Sequence, residues 1–195
     1  MRRIVLASTS PWRGELLGRL GIPFEQLDPD LDEAPYKQRG LPPQELVATL
    51  AEAKARALAE QAPDALILGA DQVVALDQTV LGKPGTTDRA FAQLRQMSGR
   101  THELITGVAL LDAVSGQLQG HVDVHRMTMR TLTDAAIRDY VRRDDPLGCA
   151  GSYKVEALGA ALFERMEGDD WTAIIGLPLS VVVTLLAGAG VSVLG

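Results

Sequence analysis

The chain has 195 residues, 46% of them hydrophobic, and 25 acidic against 19 basic side chains give it a net charge of −6. That length and apolar content fit one packed domain, or two closely joined lobes, and exclude a disordered chain. The acidic balance and the 4% aromatic content disfavour a nucleic-acid-binding surface, and the single cysteine, Cys149, excludes an intrachain disulfide.

Met1-Arg2-Arg3 is basic, but the apolar run behind it, Ile4 to Ala7, is too short for a signal peptide or a membrane span. A cytoplasmic chain is therefore expected. Arg3 to Ala7 suits a short buried strand. Ser10-Pro11 is a helix start, because Ser is a favoured N-cap and Pro is best tolerated at the first helical position. Leu16, Leu17 and Leu20 then lie on one face. Pro42-Pro43 opens a second helix running to about Gln61, and Ala65 to Ala70 reads as a buried strand. Val73 to Leu76 and Thr79 to Leu81 flank Asp77-Gln78 as a hairpin. Thr86 or Thr87 caps a helix that ends near Ser98-Gly99. Two long strands, His102 to Leu111 and Gln117 to Arg130, precede a Thr133-capped helix to about Arg143. A loop from Cys149 to Glu156, a strand near Ala161 to Arg165, a helix opening at Pro178 and a terminal strand complete the reading. The order predicts an α/β domain with a mixed, partly antiparallel sheet rather than a doubly wound one. Gly176, Pro178 and the late glycines break up the apolar closing segment, so it reads as core instead of membrane span, and it is the candidate surface for a homodimer.

Several residues can carry chemistry. Amides at the Ser10-Pro11 helix start make an anion site, to which Ser8, Ser10 and Arg13 add side-chain donors; the ordinary alternative is a capped helix with a surface arginine. Asp71, straight after an apolar run, suits a carboxylate that holds a hard cation or takes a proton from water, and suits equally a turn at the hairpin start. Lys83, between Gly82 and Pro84, meets phosphate from a stiff loop or is simply solvated. Lys54 lies on a helix among exposed-looking charges. Asp28, Asp30, Asp32 and Glu33 form an acidic loop in which a metal ligand can sit, without the spacing of an EF-hand. Glu156 has the carboxylate needed to accept from a guanine edge, and Lys154 meets phosphate or pairs with Glu156. Nothing in the sequence activates Cys149.

These pieces resemble the Maf family of nucleotide pyrophosphatases. The resemblance rests on "LASTSPWR", Glu33, Lys54, "GADQV", "GKP", "SGRTHELITGVAL", "CAGSYKVEALG" and "IIGLPL", in order over nearly the whole chain. It implies an elongated Maf/ITPase-like α/β fold, a mixed sheet in two lobes around a central cleft, and one domain spanning residues 1–195. It also implies a divalent metal cation (Mg, Mn or Co), a small-molecule nucleotide substrate, and hydrolysis of a nucleoside triphosphate to monophosphate and diphosphate. Carried onto this chain, Ser8, Ser10 and Arg13 bind phosphates, while Lys54 and Lys83 add catalytic charge. Asp71 accepts a proton or activates metal-held water, and Glu33 joins it as a metal ligand. Where the dTTP/UTP branch has a second arginine and a threonine, this chain has Trp12 and Gln72. With Glu156, these resemble the branch that acts on 7-methyl-GTP, yielding 7-methyl-GMP and diphosphate. A tryptophan face attracts the cationic methylated ring. The alternatives are the dTTP/UTP activity and a nucleotide-binding regulator of cell division without turnover.

Overall fold

A computed structural model describes residues 2–194; Met1 and Gly195, the two ends of the expected 1–195 domain, lie outside the described residues. In chain order the elements are β1 (Ile4–Ala7), α1 (Pro11–Gly18), β2 (Glu25–Leu27), α2 (Ala34–Lys37), α3 (Pro43–Ala57), β3 (Leu66–Leu76), β4 (Thr79–Leu81), α4 (Thr87–Met97), β5 (Thr101–Asp112), β6 (Leu118–Met129), α5 (Asp134–Asp144), β7 (Phe163–Glu167), α6 (Trp171–Ile175) and α7 (Leu179–Gly188). The α/β class with a mixed sheet is as the sequence predicts. The chain divides into two compact units: Met1–Asp71 with Thr106–Asp123 and Asp170–Gly195, and Gln72–Ile105 with Val124–Asp169.

In the first unit β1 runs parallel to both β2 and β3, with Leu6 in register with Gln26 on one side and Leu68 on the other. Side chains alternate across a strand. Ile4 and Leu6 of β1 join Leu66, Leu68 and Ala70 of β3 against Leu16 and Leu17 of α1 and Val182, Leu185 and Leu186 of α7. Val5, Ala7 and Ile67 face the other way, towards Ala55 of α3 and Leu58. A sheet covered by helices on both faces needs apolar residues at both parities, which explains the unbroken apolar runs of β1 and early β3. Helix α3 lies very close to the sheet: a Cβ at Gly69 would collide with the Ala51 carbonyl, and one at Gly107 with the Val47 carbonyl.

The terminal strand expected after α7 is absent, since residues 189–194 carry none. Gly190, at φ +80°, turns the chain back, and the Val191 amide donates to the Leu186 carbonyl at 2.9 Å. Val191 is thereby buried in the core that α7 already enters, a helix ending of the left-handed kind. Among the described residues no helix is long and apolar enough to cross a membrane.

In the second unit β4 pairs antiparallel with the later half of β3 across Asp77-Gln78, whose φ angles of +48° and +69° are those a tight two-residue hairpin requires. The break expected at Asp71 does not occur, because Leu66–Leu76 is one strand. Thr86 caps α4 and Thr133 caps α5 through their hydroxyls. Strand β7 pairs antiparallel with β6. His102, Tyr153 and Phe163 pack as a ring cluster, with centroids 4.9 to 5.8 Å apart.

Candidate active-site residues

The β1–α1 corner forms as the sequence predicts. Ser10 is the N-cap and accepts from the Arg13 amide at 3.5 Å, with Pro11 in the first helical turn. Ser8 Oγ accepts from the Ser10 amide at 3.1 Å. Each hydroxyl therefore satisfies a main-chain donor as an acceptor and keeps its own O–H to give to a ligand. Trp12, on the first turn of α1, is 45% exposed.

Arg13 is engaged inside the unit. Its Nε donates to the Gly176 carbonyl at 3.0 Å and its Nη1 to the Ala70 carbonyl at 2.9 Å, tying α1 to β3 and to the end of α6. Burial lowers its pKa, while the charges of Asp71 and Glu33 oppose the shift. A guanidinium has five N–H donors, so two carbonyl bonds leave others for an anion.

Asp71 and Lys54 meet because of how α3 sits on β3. Gly69 and Asp71 share a strand face two residues apart, and the close approach at Gly69 brings the last turn of α3 over Asp71. Lys54 Nζ donates to Asp71 Oδ1 at 2.6 Å and pairs with Glu33 Oε1 at 2.8 Å. Lys37, one helical turn beyond Glu33, takes its other oxygen at 2.6 Å. Burial pushes Glu33 up, but the hydrogen bonds and charges of Lys37 and Lys54 outweigh it and hold the carboxyl down at about 2. The exposed position expected for Lys54 is corrected here. At 8% exposure it lies on the buried stripe of α3, in line with Val47, Leu50 and Ala51. The helical period carries the signal: position 54 falls four residues after Leu50 and seven after Val47, where a core residue belongs.

Two carboxylates converging on one ammonium are hard oxygen donors of the type Mg²⁺ takes, usually one or two per ion with substrate phosphates completing its shell. Among the described residues no group of three or more His, Cys, Asp and Glu is placed to hold a metal. Glu33 and Asp71 are the two carboxylates here that could hold such an ion.

Gln72, Lys83 and Glu156 belong to the second unit, where Gln72 is half-buried and Lys83 and Glu156 are exposed. Lys154 does not pair with Glu156. Its Nζ donates to the Asp144 carbonyl at 2.6 Å, and its amide to Tyr140 Oη at 3.1 Å, so it closes the C-terminal end of α5. Burial pushes the half-buried Cys149 thiol up, the opposite of activation.

Sequence reasoning missed Asp170. It is the buried N-cap of α6 and accepts from the amide and hydroxyl of Thr172 and from those of Ser180. Burial pushes its pKa up, yet these donors prevail and keep it below its ordinary value. The carboxylate thereby joins α6 to the start of α7, on either side of the Gly176 carbonyl that receives Arg13. The local part of this pattern, Asp170 two residues before Thr172, was readable as a cap; the contact with Ser180 was not.

A family model described as "Maf-like protein" matches residues 3–189. A protein of Nitrosococcus oceani named 7-methyl-GTP pyrophosphatase is 47% identical over 191 residues, 98% of this chain and 95% of its own length. A Polaromonas protein of the same name is 49% identical over 98% of this chain and 86% of its own. Among solved structures, a nucleoside-triphosphatase / dITP/XTP pyrophosphatase from Mycobacterium abscessus is 18% identical, with a TM-score of 0.41, over 67% of this chain and 75% of its own.

Proposed function

Since the chain belongs to the Maf family, we propose that it is a cytoplasmic, metal-dependent enzyme that hydrolyses 7-methyl-GTP to 7-methyl-GMP and diphosphate. The observation that carries this reading is its near-half identity, over almost the full length, to relatives bearing that name. Trp12, Gln72 and Glu156 are the proposed specificity residues, and the whole chain is proposed to act as one Maf-like domain.

In this reading Ser8 and Ser10 give their free O–H groups to the triphosphate, joined by the remaining donors of Arg13, and Lys83 is proposed as a further catalytic cation. Asp71 takes the proton from a water molecule whose oxygen bonds to the α-phosphorus, while the α–β bridging oxygen leaves with diphosphate. Lys54 fixes Asp71 and Glu33 in one orientation. Glu33 and Asp71 would hold the divalent cation, which when bound offsets the phosphate charge that grows in the transition state. No covalent nucleophile is required.

A hydrolysis screen of 7-methyl-GTP against GTP, UTP, dTTP, ATP and CTP, each with Mg²⁺, Mn²⁺ or Co²⁺, tests the reading. The highest kcat/KM is expected for 7-methyl-GTP. A preference for UTP or dTTP would assign the chain to the sister activity, and binding without turnover in every combination would make it a regulator.

A further inference from the structure

The β1–α1 corner is held from the side by a residue of the neighbouring edge strand. Gln26, on β2, donates from Nε2 to the Ser8 carbonyl at 2.8 Å and to the Ser10 carbonyl at 2.9 Å. An amide nitrogen carries two N–H donors, so both are engaged on this one turn. The amide oxygen of the same side chain fills the space where Gly14 lacks a side chain, and a Cβ there would collide with it. Gln26 and Gly14 are thus fitted to each other across the first turn of α1.

This clamp decides where the corner's free donors point. In a trans peptide the N–H lies opposite the C=O, and the chain has no cis bond among the described residues. Fixing the Ser8 carbonyl towards Gln26 therefore turns the Thr9 N–H away from it. The Ser10 carbonyl precedes Pro11, which has no N–H, so its clamping only sets the direction of the helix start. Among the described residues the Thr9 and Trp12 amides find no hydrogen-bond partner, whereas those of Ser8, Ser10, Arg13 and Gly14 do.

We propose that Gln26 is a positioning residue for phosphate binding. It acts through the Ser8 and Ser10 carbonyls and holds the Thr9 and Trp12 amides and the two serine hydroxyls in one outward-facing array. The proposal rests on the reading that this corner grips the triphosphate. Gln26 is exposed on a short edge strand, so its replacement leaves the core intact.

The test uses inorganic tripolyphosphate, which has no base, and 7-methylguanosine, which has no phosphate, titrated calorimetrically into the full chain. Gln26→Met removes the donors without adding charge, and Gly14→Ala displaces the same amide by a separate route. Both variants are expected to weaken tripolyphosphate binding about 10-fold, the scale of one or two lost hydrogen bonds, and to leave 7-methylguanosine binding unchanged. Unaltered tripolyphosphate affinity in both variants overturns the proposal, as does an equal loss for both ligands, which marks general loosening. No tripolyphosphate binding by the unsubstituted chain overturns it together with the phosphate reading of the corner. If another nucleotide proves to be the substrate while the tripolyphosphate loss persists, the specificity reading fails and the role of Gln26 stands.

Discussion

Lys54 and Asp71 form a buried ion pair, Nζ to Oδ1 at 2.6 Å, with side chains 10% and 11% exposed. Glu33 shares the same ammonium at 2.8 Å. Breaking such a pair from one side leaves charge uncompensated in the interior, at a cost of roughly 3–5 kcal/mol. Lys54→Met keeps the stem and removes the cation. It is expected to lower unfolding stability by about that much in urea titration, with Mg²⁺ or Mn²⁺ restoring part of the loss by neutralising the two carboxylates. Unchanged stability in Lys54→Met would remove the pair from the account of the unit's interior.

Asp71→Asn preserves shape and removes the charge proposed to accept the proton. Turnover is expected to fall roughly 10²-fold or more, the scale of losing a general base, with substrate affinity largely kept. Near-normal kcat in a folded Asp71→Asn protein would leave Asp71 as a structural partner of Lys54 alone.

What the sequence made legible follows the range of each interaction. The Ser10 cap with Pro11, the Thr86 and Thr133 caps and the Asp77-Gln78 hairpin are set by residues within a few positions of each other, and each formed where expected. Sequence alone divides strand β3 at Asp71, because a charge inside an apolar run reads as a turn. What lets it stay in the strand is Lys54, 17 residues earlier. Strand β2 is three mostly exposed residues with no apolar alternation, and it exists only because β1 lies beside it. The Asp170–Ser180 and Arg13–Gly176 contacts join segments 10 and 163 residues apart, a relation no local pattern encodes.

Asp170 receives four donors on its two oxygens. Asp170→Asn replaces one acceptor oxygen by a donor and removes the charge, so at least one bond to Ser180 or Thr172 becomes a clash of donors. A loss of about 2 kcal/mol in chemical denaturation is expected, the scale of a hydrogen bond to a charged group. The Gly176 carbonyl should then hold Arg13 less firmly, and losses from Asp170→Asn and Arg13→Lys in kcat/KM should be less than additive. Strict additivity would separate the two.

His102 gives the second unit an acid dependence. Its Nε2 lies 3.0 Å from Tyr153 Oη, its Nδ1 is buried without a partner among the described residues, and burial lowers its pKa from 6.5 to about 4. The unfolded chain takes up a proton near pH 6.5 that the folded chain refuses until about pH 4. Stability is therefore fully present above pH 6.5, falls across that window, and is constant below it as far as this group is concerned. The size is on the order of 3 kcal/mol. Glu33, held at about 2 against an ordinary 4.5, adds its own loss only below pH 4.5. Unfolding free energies measured from pH 7.5 to 4.5 should show this slope, and His102→Leu should flatten it; an unchanged slope in that variant would assign the dependence to other groups.

Replacing Trp12 tests the proposed recognition of the base apart from that of phosphate. Trp12 stands on the same helix start as Ser10 and Arg13, is 45% exposed, and has no ring or cation of this chain over it among the described residues. Arg19, the residue that caps the C-terminal end of α1, instead lies with its guanidinium 5.8 Å from the Trp171 ring centroid. An open indole face attracts a cationic ring by roughly 0.5–2 kcal/mol, and 7-methylguanine carries the charge that guanine lacks. Trp12→Ala is therefore expected to lower kcat/KM for 7-methyl-GTP about 2- to 30-fold more than for GTP, shrinking the preference between them. Tripolyphosphate binding should be unaffected, because the helix-start amides and the serine hydroxyls remain. Equal losses on the two nucleotides would mean that Trp12 only packs the corner.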